Sequence, residues 1–236
     1  ANLGYYSRIV SGLVGGGGRV YAVEPVKPVL KVLARNLRRC RNVEILPYAL
    51  GTENRTITMV NDSALASGYL GTGQNRVAQE GEANHERAMR FEVEMRRGSE
   101  LFAGLERLDF IKCDIEGYEG VVITEMAPVI EKHLPMVLLE TGGASRRPMI
   151  EFFRELGYAG YVLHRDRLVS VVRPPAGLKI APEKDIIFIP GHRHSELDRY
   201  FCQRDADVAP TTSREGEDST YTTRQGGATD ATRSQK

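Results

Sequence analysis

Arg19-Val20-Tyr21-Ala22-Val23-Glu24-Pro25 is the stretch on which the fold turns. Val20 to Val23 read as a short buried strand, and the strand stops at an acid followed by proline. Upstream, Tyr6, Ile9, Val10 and Leu13 recur at helical spacing, and Gly15 to Gly18 end that helix. Downstream, Pro28 suits the first turn of a second helix, whose apolar face is Val29, Leu30, Leu33, Leu37 and Cys40. Val43 to Leu46 is the next strand. Helix, strand, helix, strand is the pattern of a parallel sheet with crossover helices, so the chain is read as α/β.

The middle differs. Thr56 to Val60 and Met89 to Met95 each alternate polar and apolar residues, which predicts two half-exposed strands paired antiparallel. They bound an inserted β-hairpin over residues 54–97, and the polar, glycine-containing stretch 61–87 between them has the length of a lid. The α/β rhythm then resumes. Strands are predicted at Leu108 to Cys113, Met136 to Glu140, Tyr161 to His164, Leu168 to Val172 and Asp185 to Ile189. Helices are predicted after Glu119, after Pro128 and around Met149, Phe152, Phe153 and Leu156. Residues 1–190 thus form one domain. Residues 191–236 form a polar tail, poor in large aliphatics and expected to be disordered.

Composition narrows the function. The 236 residues are 41% hydrophobic and 27% charged, which is ordinary for a globular chain with a real core. Lys and Arg number 32 against 31 Asp and Glu, so no dedicated nucleic-acid or polybasic membrane surface is expected. The basic run Lys31, Arg35, Arg38, Arg39 and Arg41 has no interleaved aromatics and reads as a solvated helix face. No apolar run approaches the ~18 residues of a membrane span. Cys40, Cys113 and Cys202 have neither zinc nor disulfide spacing, which favours a reducing, cytoplasmic setting. His192 and His194 have no companion ligands, so no metal site is expected.

In an open α/β sheet, ligands bind beyond the carboxyl ends of the strands. Glu24, the stretch 48–51, Asp114 to Glu119 and Glu140 lie there. Glu24 is either an acceptor for the ribose hydroxyls of an adenosine-type cofactor or a surface carboxylate in a turn. Asp114-Ile115-Glu116-Gly117-Tyr118-Glu119 packs three acids into six residues. Repulsion raises some pKa values in such a cluster and suits general-base work, whereas helix capping by Asp114 or Glu116 is the structural alternative. Gly15 to Gly18 follow a helix and precede a strand, the wrong order for a phosphate cradle. His133 precedes a strand and so sits at the wrong rim, and His85 reaches a substrate only if the insertion folds over it.

Asn2-Leu3-Gly4-Tyr5-Tyr6-Ser7, Gly18 to Pro25, Ala49-Leu50-Gly51 and Leu108 to Glu119 follow in this order. Together they resemble the FkbM family of S-adenosylmethionine-dependent methyltransferases over residues 1–190. The resemblance implies a Rossmann-like seven-stranded methyltransferase fold, mostly parallel with an antiparallel last strand. It implies S-adenosyl-L-methionine as cofactor, with Asn2 and Gly4 in the glycine loop, Glu24 on the ribose, Ala49 and Leu50 bounding the adenine, and Asp114 near the methionine end. Asp114 and Glu116 are the implied catalytic acids, while Tyr118, Glu140 and His85 line the acceptor. That acceptor is expected to be a hydroxyl on a small molecule such as a sugar or polyketide, or on a glycan. Family members begin with a buried strand that this chain lacks, so the chain is expected to be an N-terminal truncation that binds cofactor and folds less well than a longer form. A nicotinamide-dependent oxidoreductase shares the acid after the second strand, and a non-catalytic relative is the third reading.

Overall fold

The chain opens with α1 (Tyr5–Val14), β1 (Val20–Val23), α2 (Lys27–Leu37) and β2 (Val43–Leu46), the predicted alternation. These coordinates are a computed structural model, which describes residues 1–61, 75–78, 89–180 and 185–201. β1 and β2 pair in parallel, with Val20 opposite Val43 and Val23 opposite Leu46. On α2, Val29, Leu33 and Leu37 fall four residues apart on one stripe, and all three are buried. Leu33 and Leu37 cover Ala22, Val43 and Ile45 of the two strands.

α1 reverses the expectation drawn from its periodicity. Tyr5, Tyr6, Ile9 and Leu13 are exposed, and the buried residues are Ser7 and Ser11. The reason is close approach. Gly4 enters the helix at φ 88°, and a Cβ there would lie 2.7 Å from Leu33 Cδ1. The helix therefore docks by its small-residue side, which hydrogen-bonds instead of packing apolar bulk.

The insertion builds a second sheet from β3 (Ala49–Gly51), β4 (Arg55–Asn61), β5 (Arg76–Val77) and β6 (Met89–Arg97), in the order β3-β6-β4-β5. The predicted antiparallel pair is its centre, with Ile57 opposite Val93 and Thr56 opposite Glu94. Alternation puts Ile57, Met59, Val93 and Met95 on one face, where they bury against Val26 and Val29 of the α2 entry. The hairpin is wider than predicted, because β3 adds in parallel to β6 and β5 adds antiparallel to β4. His85 and most of the stretch read as a lid lie outside the described residues.

The third sheet follows α3 (Gly98–Leu101). It contains β7 (Phe110–Cys113), β8 (Met136–Leu139), β9 (Tyr158–His164), β10 (Arg167–Ser170) and β11 (Ile186–Pro190), in the order β10-β9-β11-β8-β7. α4 (Glu119–Glu125) and α5 (Ala127–His133) cross from β7 to β8, and α6 (Arg146–Glu155) crosses from β8 to β9. The main core lies here. Phe153 of α6 is fully buried and stacks on Phe188 of β11, ring centroids 4.1 Å apart. Burying a ring of that size is worth about 1.5–3 kcal/mol.

Among the described residues the strands form a parallel two-stranded sheet and two sheets of mixed pairing, so the expected single, mostly parallel, seven-stranded sheet is not confirmed. β7–β8 is parallel, while β11 runs antiparallel to both β8 and β9, as predicted for the last strand. β9 and β10 are antiparallel because they are joined by Arg165-Asp166, both in the left-handed region at φ 47° and 62°, as a tight hairpin turn requires. Among the described residues β1 pairs only with β2, and β7 only with β8.

Of the stretch 191–236, the structure describes Gly191–Tyr200, a 3₁₀ stretch, where Arg193 Nη1 donates to Asp109 O at 3.0 Å, and Phe201, which bridges to Leu168; residues 202–236 lie outside the described residues. No helix among the described residues is long and apolar enough to cross a membrane.

Candidate functional site

The parallel register of β7 and β8 builds the centre of the site. Cys113 stands opposite Leu139, so the next residues, Asp114 and Glu140, leave the sheet side by side. Glu140 N donates to Cys113 O at 3.1 Å, which carries the ladder to the point where both carboxyls emerge. The two carboxyls lie close enough to act on each other's protonation, and two carboxyls brought together favour one of them keeping its proton.

Lys112 precedes Asp114 by two residues and therefore shares its face of the strand. Its Nζ lies 2.5 Å from Asp114 Oδ2 and 4.4 Å from the ring centroid of Tyr6 on α1. Partial burial pushes the Asp114 carboxyl up, but the hydrogen bonds from Glu140 and Lys112, with the charges of Lys112 and the Ala1 amino group, hold it below the usual range. Glu140 goes the other way. The hydrogen bond to Asp114, then partial burial and the charges of Asp114, Glu116 and Asp185, push it up to about 7.

The loop after β7 is shaped by an acid that the sequence placed only as one of three. Glu119 is buried, and its Oε1 accepts from Ile115 N at 2.7 Å and Gly117 N at 3.1 Å. It, and neither Asp114 nor Glu116, satisfies the backbone before α4. That leaves Glu116 exposed at φ 59° beside Gly117 at φ 92°. Partial burial and the charges of Asp114 and Glu119 raise the Glu116 carboxyl. Tyr118 packs partly against the core below.

Glu24 forms the opposite side. It ends β1, is 7% exposed, and accepts from Val26 N at 3.0 Å through Oε1 and from Asn2 N at 2.8 Å through Oε2. Lys112 of β7 reaches the Tyr6 ring on α1, and Asn2 at the entry to that helix bonds Glu24, so the ends of β1 and β7 meet at the same entry loop. Asn2 is left-handed at φ 53°. Gly4 lies in the same loop, but its lack of a side chain answers to Leu33 beneath it. Ala49 and Leu50 are less open than expected. Ala49 is buried among Val26, Val29 and Met95, and Leu50 packs on the main core.

Lys112, Tyr6 and Asp185 were given no site role by sequence reasoning, and Glu119 only a place in the acidic cluster. For Lys112 a signal existed, since a cation two residues before an acid on a strand must share its face. A cavity of about 400 Å³ opens at the other rim, lined by Arg107, Asp109, Lys132, His133 and Arg193 among others. His133 is thus at the rim where the sequence put it, away from the carboxylates.

The methyltransferase FkbM domain family matches residues 1–159. A solved structure, methyltransferase FkbM from Methylobacillus flagellatus KT, is similar with a TM-score of 0.49 and 15% identity, over 80% of this chain and 41% of that one. The chain therefore spans under half the length of that protein. No curated protein matches it.

Proposed function

The chain belongs to the FkbM methyltransferase family, and from that premise we propose that it is an S-adenosylmethionine-dependent O-methyltransferase acting on a hydroxyl of a sugar, glycan, polyketide or other secondary metabolite. The observation that carries this reading is the meeting of acidic strand ends at one entry loop, Glu24 on β1 and Asp114 with Glu140 on β7 and β8.

The residues fit the cofactor in kind. A carboxylate offers about four acceptor directions. At Glu24, Val26 N and Asn2 N account for two, which leaves room for the ribose hydroxyls. Asn2 and Gly4 would border it, with Ala49 and Leu50 behind the adenine. Asp114, Glu116 and Glu140 put negative charge where a cationic sulfonium would sit. When bound, the cofactor supplies an electrophilic methyl group on that sulfonium. The chain's part is to align the acceptor and take its proton. We also read the β1–β2 pair and the five-stranded sheet as two parts of one Rossmann-like arrangement. The free thiols of Cys40 and Cys113 suit a cytoplasmic setting.

The test is titration calorimetry with S-adenosylmethionine, followed by transfer of its isotope-labelled methyl group to hydroxyl acceptors. Saturable binding that Glu24→Ala abolishes supports the reading. A chain that binds a nicotinamide dinucleotide and not S-adenosylmethionine would be an oxidoreductase relative instead.

A further inference from the structure

We infer that Lys112 and Asp114 are positioning residues that make Glu140, rather than Asp114 or Glu116, the group that takes the proton of the acceptor hydroxyl. This rests on the methyltransferase reading for the identity of the acceptor. The arrangement of the three side chains stands independently of it.

The geometry assigns different roles to the three acids. Asp114 Oδ2 is held at 2.5 Å by Lys112 Nζ, so its charge is already neutralised and it is a weak base. Glu116 lies on the loop past the end of β7, at left-handed backbone, and strand register sets only Asp114 beside Glu140. Glu140 stands beside Asp114 by strand register, and its named charged neighbours are acids: Asp114 on β7, Glu116 on the loop before α4, and Asp185 before β11. Lys112 is the cation paired with Asp114.

The consequence is a base with two settings. Above the midpoint of Asp114 and below that of Glu140, the pair holds one proton, on Glu140. Once it leaves, both carboxylates are charged, which Lys112 makes tolerable by pairing with Asp114. An acceptor hydroxyl placed there loses its proton to a Glu140 oxygen. The O–H bond breaks, its electron pair stays on the acceptor oxygen as the nucleophile, and a new O–H bond forms on Glu140. The neutral acid then passes that proton to water.

The test is a carbon-13 NMR titration of side-chain carboxyls in the folded chain, with Glu140 identified by the signal missing from Glu140→Gln. The expected midpoint for Glu140 is about 7. Asp114→Asn should lower it toward the ordinary glutamate value of about 4.3. Lys112→Met should raise it by about one unit or more, while Lys112→Arg keeps it near the wild-type value. A wild-type midpoint in the ordinary range overturns the inference, and this needs no variant to fold. A midpoint that neither folded variant moves overturns it equally.

The transfer arm uses isotope-labelled S-adenosylmethionine and methyl glucoside as the hydroxyl probe. The wild-type rate should rise as pH passes about 7. Glu140→Gln should lose about 100-fold or more in rate with cofactor affinity unchanged. Transfer by Glu140→Gln at the wild-type rate overturns the proton-acceptor role. Binding of a nicotinamide dinucleotide in place of S-adenosylmethionine sinks the methyltransferase reading, and the titration still judges Glu140.

Discussion

Asn42 clamps the end of α1. Its Oδ1 accepts from Ser11 Oγ at 2.6 Å, while its Nδ2 donates to Ser11 O at 3.0 Å and to Gly15 O at 2.8 Å. This polar clamp holds a helix whose large apolar residues face outward. Asn42→Ala should therefore destabilise the chain by about 1–3 kcal/mol, since it strands a half-buried hydroxyl and two helix-terminal carbonyls. Urea unfolding measures it. A loss within experimental scatter would show that α1 is held by packing instead.

Much of this was legible, and the misses have physical causes. Strand positions followed from short apolar runs and from alternation, because the Ile57 and Val93 faces must bury. Strand polarity put Glu24 and Glu140 just past strand ends, and they follow β1 and β8 there. The orientation of α1 was not legible, because its period gives the helix but not which stripe docks. Gly4 decides that by removing a Cβ over Leu33, a contact 29 positions away in sequence. The division of labour among the acids of the loop was hidden for the same reason. Which of Asp114, Glu116 and Glu119 turns inward depends on the left-handed backbone at Glu116 and Gly117, and composition does not encode it.

Gly4→Ala follows from that contact. Alanine would be forced to φ 88° with its Cβ 2.7 Å from Leu33 Cδ1. The left-handed backbone costs about 1–2 kcal/mol and the overpacking about 1–3 kcal/mol, so a total of about 2–5 kcal/mol is expected. Pairing it with Leu33→Ala should not restore the backbone part. Melting curves of the two variants and their combination separate the contributions, and a fully neutral Gly4→Ala would contradict the packing described.

Glu24→Ala should cost stability as well as cofactor binding. The carboxylate is the acceptor for Val26 N at the entry to α2 and for Asn2 N at the entry to α1. Its removal leaves two backbone donors without their partner, about 1–3 kcal/mol each where water cannot replace it. Glu24→Gln should keep one of those bonds and lose less. Unfolding without cofactor reads the structural share, and calorimetry on the folded variants reads the binding share. Equal stability of all three chains would place Glu24 outside the framework.

Glu125 gives an acid-side prediction. Its carboxylate is 5% exposed and accepts from Arg97 Nε and Ser99 N, both at 3.0 Å, and from Ser99 Oγ. Burial pushes its carboxyl up, but these bonds and the Arg97 charge outweigh that and hold it below the ordinary range. A lowered folded pKa means that the contribution is present above the unfolded value and lost as pH falls through the folded one. Stability should therefore decline on acidification below about pH 4.3. Glu125→Gln should be less stable at neutral pH and show a shallower decline, as read from melting midpoints across pH 3–6. A decline of unchanged depth would assign the acid sensitivity to other carboxylates.

Glu140 has the opposite sign. Its folded pKa is raised to about 7, against about 4.3 for an unfolded glutamate, so between these values the folded chain binds more protons than the unfolded one. Its contribution is then full at the lower limit and disappears as pH rises through the upper one. Melting midpoints at constant ionic strength should fall across that window, and Glu140→Gln should flatten the fall because it cannot ionise. Asp114, held below its usual range, contributes in the reverse sense and only at more acidic pH. A wild-type midpoint that climbs from pH 5 to 7 would mean that Glu140 keeps no proton in that window. The predicted fall also has a functional meaning: the doubly ionised form that can accept a proton from substrate is the less stable one. Tuning the site toward activity at neutral pH thus costs the sheet edge stability, with Lys112 limiting the loss.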